Sequence, residues 1–209
     1  MKLCLIGGLN KMDNFENMLA NVRDSFRLLY LFNRRILDLM NYIGKKIKIP
    51  YYGGYSKFSF SSPKDGRGNL DNCAWDWLNL YFYEFHFCIE NIRLSVILQS
   101  DTGMWDADVD YLDIEKFEKT FKSKTKLIFV FNNNDYWDFD KITDDKNQNL
   151  KGEYLETFEI SDSNKSMYCM VFNINEFKNK ISTDNSLNKF INYLNKNNIY
   201  DIKIIDEIL

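Results

Sequence analysis

The clearest pattern along the chain lies in residues 13–43. There Phe15, Leu19, Val22, Phe26, Leu29, Asn33, Ile36, Met40 and Ile43 follow one another at alternating spacings of four and three. That alternation keeps one stripe on one side of a helix, so it predicts an unbroken heptad-like helix over 13–43. Asp13 stands where a cap is wanted, Glu16 where a capping box closes, and Gly44 where helices commonly stop. Such a helix runs roughly 45 Å at 1.5 Å per residue, long for a compact domain. Leu28, Tyr30, Leu31, Phe32, Leu37 and Leu39 widen the stripe. The helix is therefore expected to be wrapped on more than one side. It reads either as a core helix on its own sheet or as the seam of a homodimer through helix 13–43, with Asn33 at a register-setting position.

Beyond residue 50 the period changes to two. "PYYGGYS" (50–56) and "SSPKDGRGN" (61–69) are turn signals bracketing a short alternating strand, "KFSF". Residues 75–89 read as a long strand with Trp77, Tyr81, Tyr83, Phe85, Phe87 and Ile89 on one face and Leu78, Leu80 and Phe82 on the other. Two apolar faces predict a central strand covered on both sides. Glu90-Asn91 predicts a tight turn and 92–99 an antiparallel return. Asp110 is expected to cap a helix through about Lys122, with Ile114, Phe117 and Phe121 inward. "KLIFVF" (126–131) is a buried strand, and the polar stretch 132–152 a mobile loop or insertion. "EYLETFEI" and "MYCMVFNI" form a hairpin around "SDSNKS". Residues 175–181 and 184–197 read as two amphipathic helices, the second burying Leu187, Phe190, Ile191 and Leu194, and 199–209 as a short strand or helical turn. Strands in hairpins with helices toward the ends predict an α+β fold. Its largely antiparallel sheet would be packed by the long N-terminal helix and the C-terminal helices. No repeat and no Pro- or Ser-rich linker divides the chain, so 1–209 is expected to be a single domain.

Composition narrows the function classes. With 209 residues, 45% apolar and 16% aromatic, a chain of this size can bury roughly 70% of its unfolded surface. The net charge of −3, with no strongly basic half, argues against a duplex-DNA binder. "MKLCLIGGLNKMDN" lacks a signal-peptidase site and reads as a buried first strand. No run approaches the roughly 18 apolar residues of a membrane span, so no membrane partner is expected. Cys4, Cys73, Cys88 and Cys169 form no CxxC, and one histidine cannot complete a zinc site. No metal or cofactor is expected, and the thiols read as reduced core residues of a cytoplasmic protein. Abundant Asn, Lys, Ile and Phe with scarce Ala and Pro suggest an AT-rich genome, that of a low-GC bacterium or its phage.

Four groups of residues carry candidate chemistry. Glu84 and His86 share one face of the predicted strand. With the turn at 90–91, His86 would face Ser95, Glu84 would face Ile97, and Arg93 would lie diagonally beyond. Such a cluster can move protons, but mid-strand Ser95 lacks the exposed elbow of a nucleophile, and structural polar pairing is the stronger reading. The run "DTGMWDADVDYLDIE" imitates a calcium loop and fails, because Tyr111 stands in place of its glycine and Phe117 in place of its bidentate glutamate. Its acids suit a helix N-terminus or Mg²⁺ chemistry. Trp105, Asp106 and Asp108, with Asp135, Trp137 and Asp138, also form an aromatic–acid patch of the kind that docks on a basic protein. Tyr51, Tyr52 and Tyr55, with Lys64 and Arg67, could stack bases or hold a ligand, although ordinary turn chemistry explains the glycines between them. Arg23, Arg27 and Arg34 share a helix face that either binds an anion or is simply solvated.

The chain lacks G-x-S-x-G, H-E-x-x-H, C-x-x-C and Walker A patterns. The leading expectation is a soluble, non-enzymatic interaction protein that binds and inhibits another protein, for example an immunity protein or a phage-encoded inhibitor of a defence nuclease. Its partner would be a basic nucleic-acid-processing enzyme. The alternatives are a metal-dependent nuclease or phosphodiesterase using clustered aspartates, and an RNA or small-ligand module using the tyrosine loop.

Overall fold

The heptad-like stripe does form one helix, α1 (Met12–Ile47), but it outruns the predicted stop. The backbone stays helical through Gly44, and Lys48 takes the left-handed terminal position with φ of 57°. Lys45 and Lys46 occupy the last turn, where cations favour the helix dipole. Gly44 is there for packing. A Cβ at that position would lie 2.8 Å from the Phe87 ring, so its absence lets helix and strand approach.

The computed structural model describes residues 12–57, 82–103, 117–132, 137–143, 157–162 and 165–197. The chain divides into two units, Met1–Tyr42 and Ile43–Leu209. In the first, all of residues 21–31 are exposed, including the stripe residues Val22, Phe26 and Leu29. Ile36 and Met40, further along the same stripe, are buried. The expected coverage of the stripe is therefore met only toward its C-terminal end.

The second unit is built on a six-stranded sheet whose strand pairings are all antiparallel. Its strands are β1 (Tyr51–Lys57), β2 (Phe82–Ile89), β3 (Ile92–Gln99), β4 (Lys126–Asn132), β5 (Thr157–Asp162) and β6 (Lys165–Asn173), in the order β1-β2-β3-β4-β6-β5. With its helices this makes the α+β fold that the hairpin pattern predicts. The β2–β3 turn falls at Glu90 and Asn91, with Glu90 in the left-handed region, φ 52°.

Alternation then sends successive residues to opposite faces. One face carries Phe129 and Phe172, which pack with Phe177 and with Phe190 of α3 (Lys180–Lys196) at ring separations of 5.2 to 5.7 Å. The last turn of α1 lies on this face too, where Lys46 meets Asp184 of α3 at 3.5 Å. The other face carries Phe82, Ile97, Ile128, Val130, Cys169 and Val171, closed over by Phe139 and Ile142 of the short helix α2 (Phe139–Thr143). Each large side chain buried here contributes about 1.5–3 kcal/mol.

Several local expectations need correction. "PYYGGYS" is mostly edge strand β1, with a register shift between Tyr51 and Gly53, rather than a turn. Gly54 lets β1 come so close to β2 that a Cβ would strike the Glu84 carbonyl oxygen. Of the helix expected over 110–122, residues 110–116 lie outside the described set, and residues 117–122 are not helical. Glu118 N–H donates to the Gly103 carbonyl and Thr102 N–H to that of Lys124, so the stretch pairs with residues 102–103, with only a single turn of its own at 119–123. Phe121 points to solvent, while Phe117 packs on the core. The polar stretch 132–152 contains α2, anchored by Phe139 and Ile142. The two C-terminal helices resolve into a 3-10 turn, Ile174–Phe177, and α3. Asn179 caps α3: its side chain accepts from Ser182 N–H, and the Ser182 hydroxyl accepts from Asn179 N–H. The expected first strand, residues 58–81 and the tail 199–209 lie outside the described residues.

Candidate functional site

The opening rungs of the sheet bring the lone histidine into a row of polar groups. His86 pairs with Ser95 and Glu84 with Ile97 across β2 and β3, in the register that a turn at 90–91 requires. Because alternation turns Glu84, His86 and Ser95 to one face, their side chains meet. His86 Nδ1 and Ser95 Oγ share a hydrogen bond of 2.7 Å. On the other side of the ring Nε2 stands 3.0 Å from Glu84 Oε2, and Lys57 Nζ from β1 lies 3.3 Å from Glu84 Oε1. Among the described residues neither carboxylate oxygen accepts an aligned hydrogen bond, so these are electrostatic contacts at ion-pair distance.

Aromatic rings enclose the row. Tyr55 lies 5.6 Å from the imidazole on one side, and the edge of Trp137 5.1 Å on the other. Lys57 also sits over the Phe139 ring at 4.4 Å, a cation–π contact. Burial, and then the Glu84 carboxylate, push the Tyr55 phenol above the ordinary tyrosine range. Glu84 and Ser95 are fully buried and His86 is 6% exposed. A serine hydroxyl with no exposed surface offers a substrate no line of attack, so the geometry suits holding two strands together better than nucleophilic chemistry.

The same sheet face continues the polar theme beyond what the sequence suggested. Arg93 stands opposite Cys88 on one side and Asn132 on the other. Gln99 stands opposite Lys126 at the far end of β3. Asn132, Gln99 and Lys126 are all buried. Among the described residues the Asn132 and Gln99 side-chain amides find no hydrogen-bond partner. Burial, and then Lys124, lower the Lys126 pKa below that of a free lysine. Alternation within "RLSVILQ" and "KLIFVFN" was the available signal: Arg93, Ser95 and Gln99 fall on one face, as do Lys126 and Asn132. Next to the β2–β3 turn, Tyr52, Cys88, Glu90, Asn91, Ile92 and Arg93 line a depression of about 200 Å³, below the ~300–1,000 Å³ of typical ligand clefts. Among the described residues no group of three His, Cys, Asp or Glu side chains is placed to hold a metal ion.

The other predicted site residues are dispersed. Trp105, Asp106, Asp108, Asp135, Lys64 and Arg67 lie outside the described residues. Trp137 is half-buried against His86 and the core. Asp138 turns inward on its own helix, where Oδ1 accepts from Lys141 N–H and Oδ2 pairs with Lys141 Nζ at 3.6 Å. All three are exposed, but Tyr51 edges against Phe87 at 5.7 Å and Tyr55 lies on His86, on opposite faces of β2. The three tyrosines thus do not form one stacking surface.

Most of the exposed large apolar side chains among the described residues lie on α1 in the first unit. Phe15, Val22, Phe26, Leu28, Leu29, Tyr30, Leu31 and Leu37 are all exposed, Phe26 at 61% and Leu28 at 68%. Isolated exposed apolar residues are ordinary, whereas several on one side of a helix form a patch. No helix among the described residues is long and apolar enough to cross a membrane.

The chain belongs to the family described as PM0109, whose pattern matches residues 12–199. The match takes in α1, the whole sheet and α3. No curated protein and no solved structure matches the chain.

Proposed function

We propose that this chain is a non-enzymatic binding protein. Its working surface is the apolar face of α1, and its enclosed polar row serves architecture. One observation carries the reading: residues 21–31 are exposed throughout, yet Val22, Phe26, Leu29 and Tyr30 stand on one side of the helix. In proteins most of a helix's stability comes from packing its amphipathic face, and such a face is buried when it enters a groove or meets another helix. Large aromatic and leucine side chains at three- and four-residue spacing are the anchors such docking uses.

Docking that masks a partner's working surface inhibits without chemistry of its own. The net charge of −3 favours a basic partner, such as a nucleic-acid-processing enzyme. Affinity for a purified binding partner, compared between the wild-type chain and a Phe26→Glu/Leu29→Glu variant, tests the reading. A loss of at least 100-fold is expected, and unchanged affinity would refute it. Turnover of a nucleic acid in Mg²⁺ or Mn²⁺ that disappears on His86→Phe, with folding intact, would replace it with the enzymatic alternative.

A further inference from the structure

We infer that Lys57, Glu84 and His86 form a pH-sensitive latch on the edge strand β1, closed while the imidazole is neutral and loosened when it takes a proton. The latch belongs to the sheet and is independent of what α1 docks. Two observations carry it.

The first is that one buried carboxylate serves two groups able to carry positive charge. Lys57 Nζ lies 3.3 Å from Glu84 Oε1 and His86 Nε2 lies 3.0 Å from Oε2. With the imidazole neutral, Lys57 faces an anion. With it charged, carboxylate and imidazolium cancel, and the pull on Lys57 falls away. Salt screens buried charges poorly, and a histidine changes charge between about pH 5 and 8. The surrounding groups leave that contest intact. Ser95 of β3 meets Nδ1 at 2.7 Å, and its hydroxyl accepts from a ring N–H as well as it donates to a bare nitrogen. Burial and then the Glu84 carboxylate raise the Tyr55 phenol, which Arg93 of β3 opposes, so Tyr55 stays neutral and Arg93 adds to the positive side. Cys88 is the next residue on the same face of β2 and stands opposite Arg93. Trp137 and Phe139 bring rings without charge, and Asp138 is engaged with Lys141.

The second is where the latch sits. The Lys57 side chain is 27% exposed, against 8% for His86 and none for Glu84, so Lys57 is the member with a way out to water. It ends β1, which lies at one edge of the sheet. No β1 side chain is fully buried. A strand with so little buried surface opens locally, and its hold on the sheet is sensitive to one ion pair. The His86–Ser95 bond, by contrast, joins two strands inside the sheet.

Amide exchange of the full chain at about pH 8 and pH 5.5, on either side of ordinary imidazole titration, tests this after correction for the intrinsic effect of pH. The β1 amides are expected to lose protection by about tenfold more than those of β4, the scale of one partly exposed ion pair. His86 is the chain's single histidine, so its ring ¹⁵N signals read its charge directly. Their midpoint should coincide with the midpoint of the β1 change. Lys57→Met should lower β1 protection at the higher pH and remove the pH response. His86→Phe should remove the response as well, and Lys57→Met, at a partly exposed position, serves if that variant does not fold.

An imidazole whose charge is constant from pH 5.5 to 8 overturns the latch, as does β1 protection that is constant or rises on acidification. A pH response of β1 that persists in Lys57→Met, or in folded His86→Phe, assigns the titration to another group and overturns it too.

Discussion

His86 Nδ1 and Ser95 Oγ stand 2.7 Å apart across one rung of the β2–β3 ladder, both buried. The bond joins two strands from inside the sheet's covered face. With Glu84 at Nε2 and Lys57 beyond it, the imidazole is held from both ring nitrogens. A side chain fixed in this way keeps a single rotamer, which is useful for strand register and of little use to a group that must move with a substrate.

Substitutions in this row should therefore act on stability. Ser95→Ala removes one neutral hydrogen bond and is expected to cost about 1 kcal/mol. His86→Phe takes the imidazole away from the buried Glu84 carboxylate and should cost about 2–4 kcal/mol. Replacing the set together, Glu84→Leu/His86→Phe/Ser95→Ala, should cost less than the single changes added, because no buried polar group is then left unmatched. Urea unfolding gives all three values. A His86→Phe chain of wild-type stability would contradict the architectural role.

Three glycines separate close approach from mere turn chemistry. Gly44→Ala presses a methyl group on the buried Phe87 ring, a cost of about 1–3 kcal/mol partly offset by up to ~1 kcal/mol of helix propensity. Gly54→Ala meets the Glu84 backbone, which cannot swing aside, and should cost more than Gly44→Ala. Gly53 has nothing within 4 Å, so Gly53→Ala should stay within about 0.5 kcal/mol of wild type. The ordering of the three midpoints in denaturant checks the account, and a Gly53 effect as large as that of Gly54 would contradict it.

The thiols should differ in reactivity. Cys169 is fully buried, and burial pushes its thiol far above the ordinary range, whereas Cys88 is partly exposed. In a chain with Cys4 and Cys73 changed to serine, iodoacetamide should modify Cys88 readily in the native state. Cys169 should react at least about a thousandfold more slowly, because it must wait for unfolding. Comparable rates by mass spectrometry would show that β6 opens far more easily than its packing implies.

How far the sequence carries the fold can be judged element by element. The β2–β3 hairpin was legible to the residue, because Glu90-Asn91 is a strong turn signal and register follows from it by counting; the facing of His86 with Ser95 came free. α1 was legible as a helix, but not its exposure, since a heptad stripe reads the same whether a sheet, a second chain or nothing described covers it. Gly44 and the Gly53-Gly54 pair misled, because glycine serves close packing as well as turns, and only neighbours distant in sequence decide which. Phe117 and Phe121 carry helical spacing, yet pairing with residues 102–103 took the backbone elsewhere. Burial of Asn132, Gln99 and Lys126 was hidden by their places at strand ends, where polar residues usually meet water.

Amide hydrogen exchange across residues 21–31 tests the central claim most directly. In the chain at nanomolar concentration these amides are expected to exchange within about tenfold of an unprotected helix, because no apolar contact secures them. With a bound partner, the same amides should slow by at least about a hundredfold while β4 stays unchanged. Strong protection of residues 21–31 in the dilute, uncomplexed chain would mean that the apolar face of α1 is already covered, and would contradict the account.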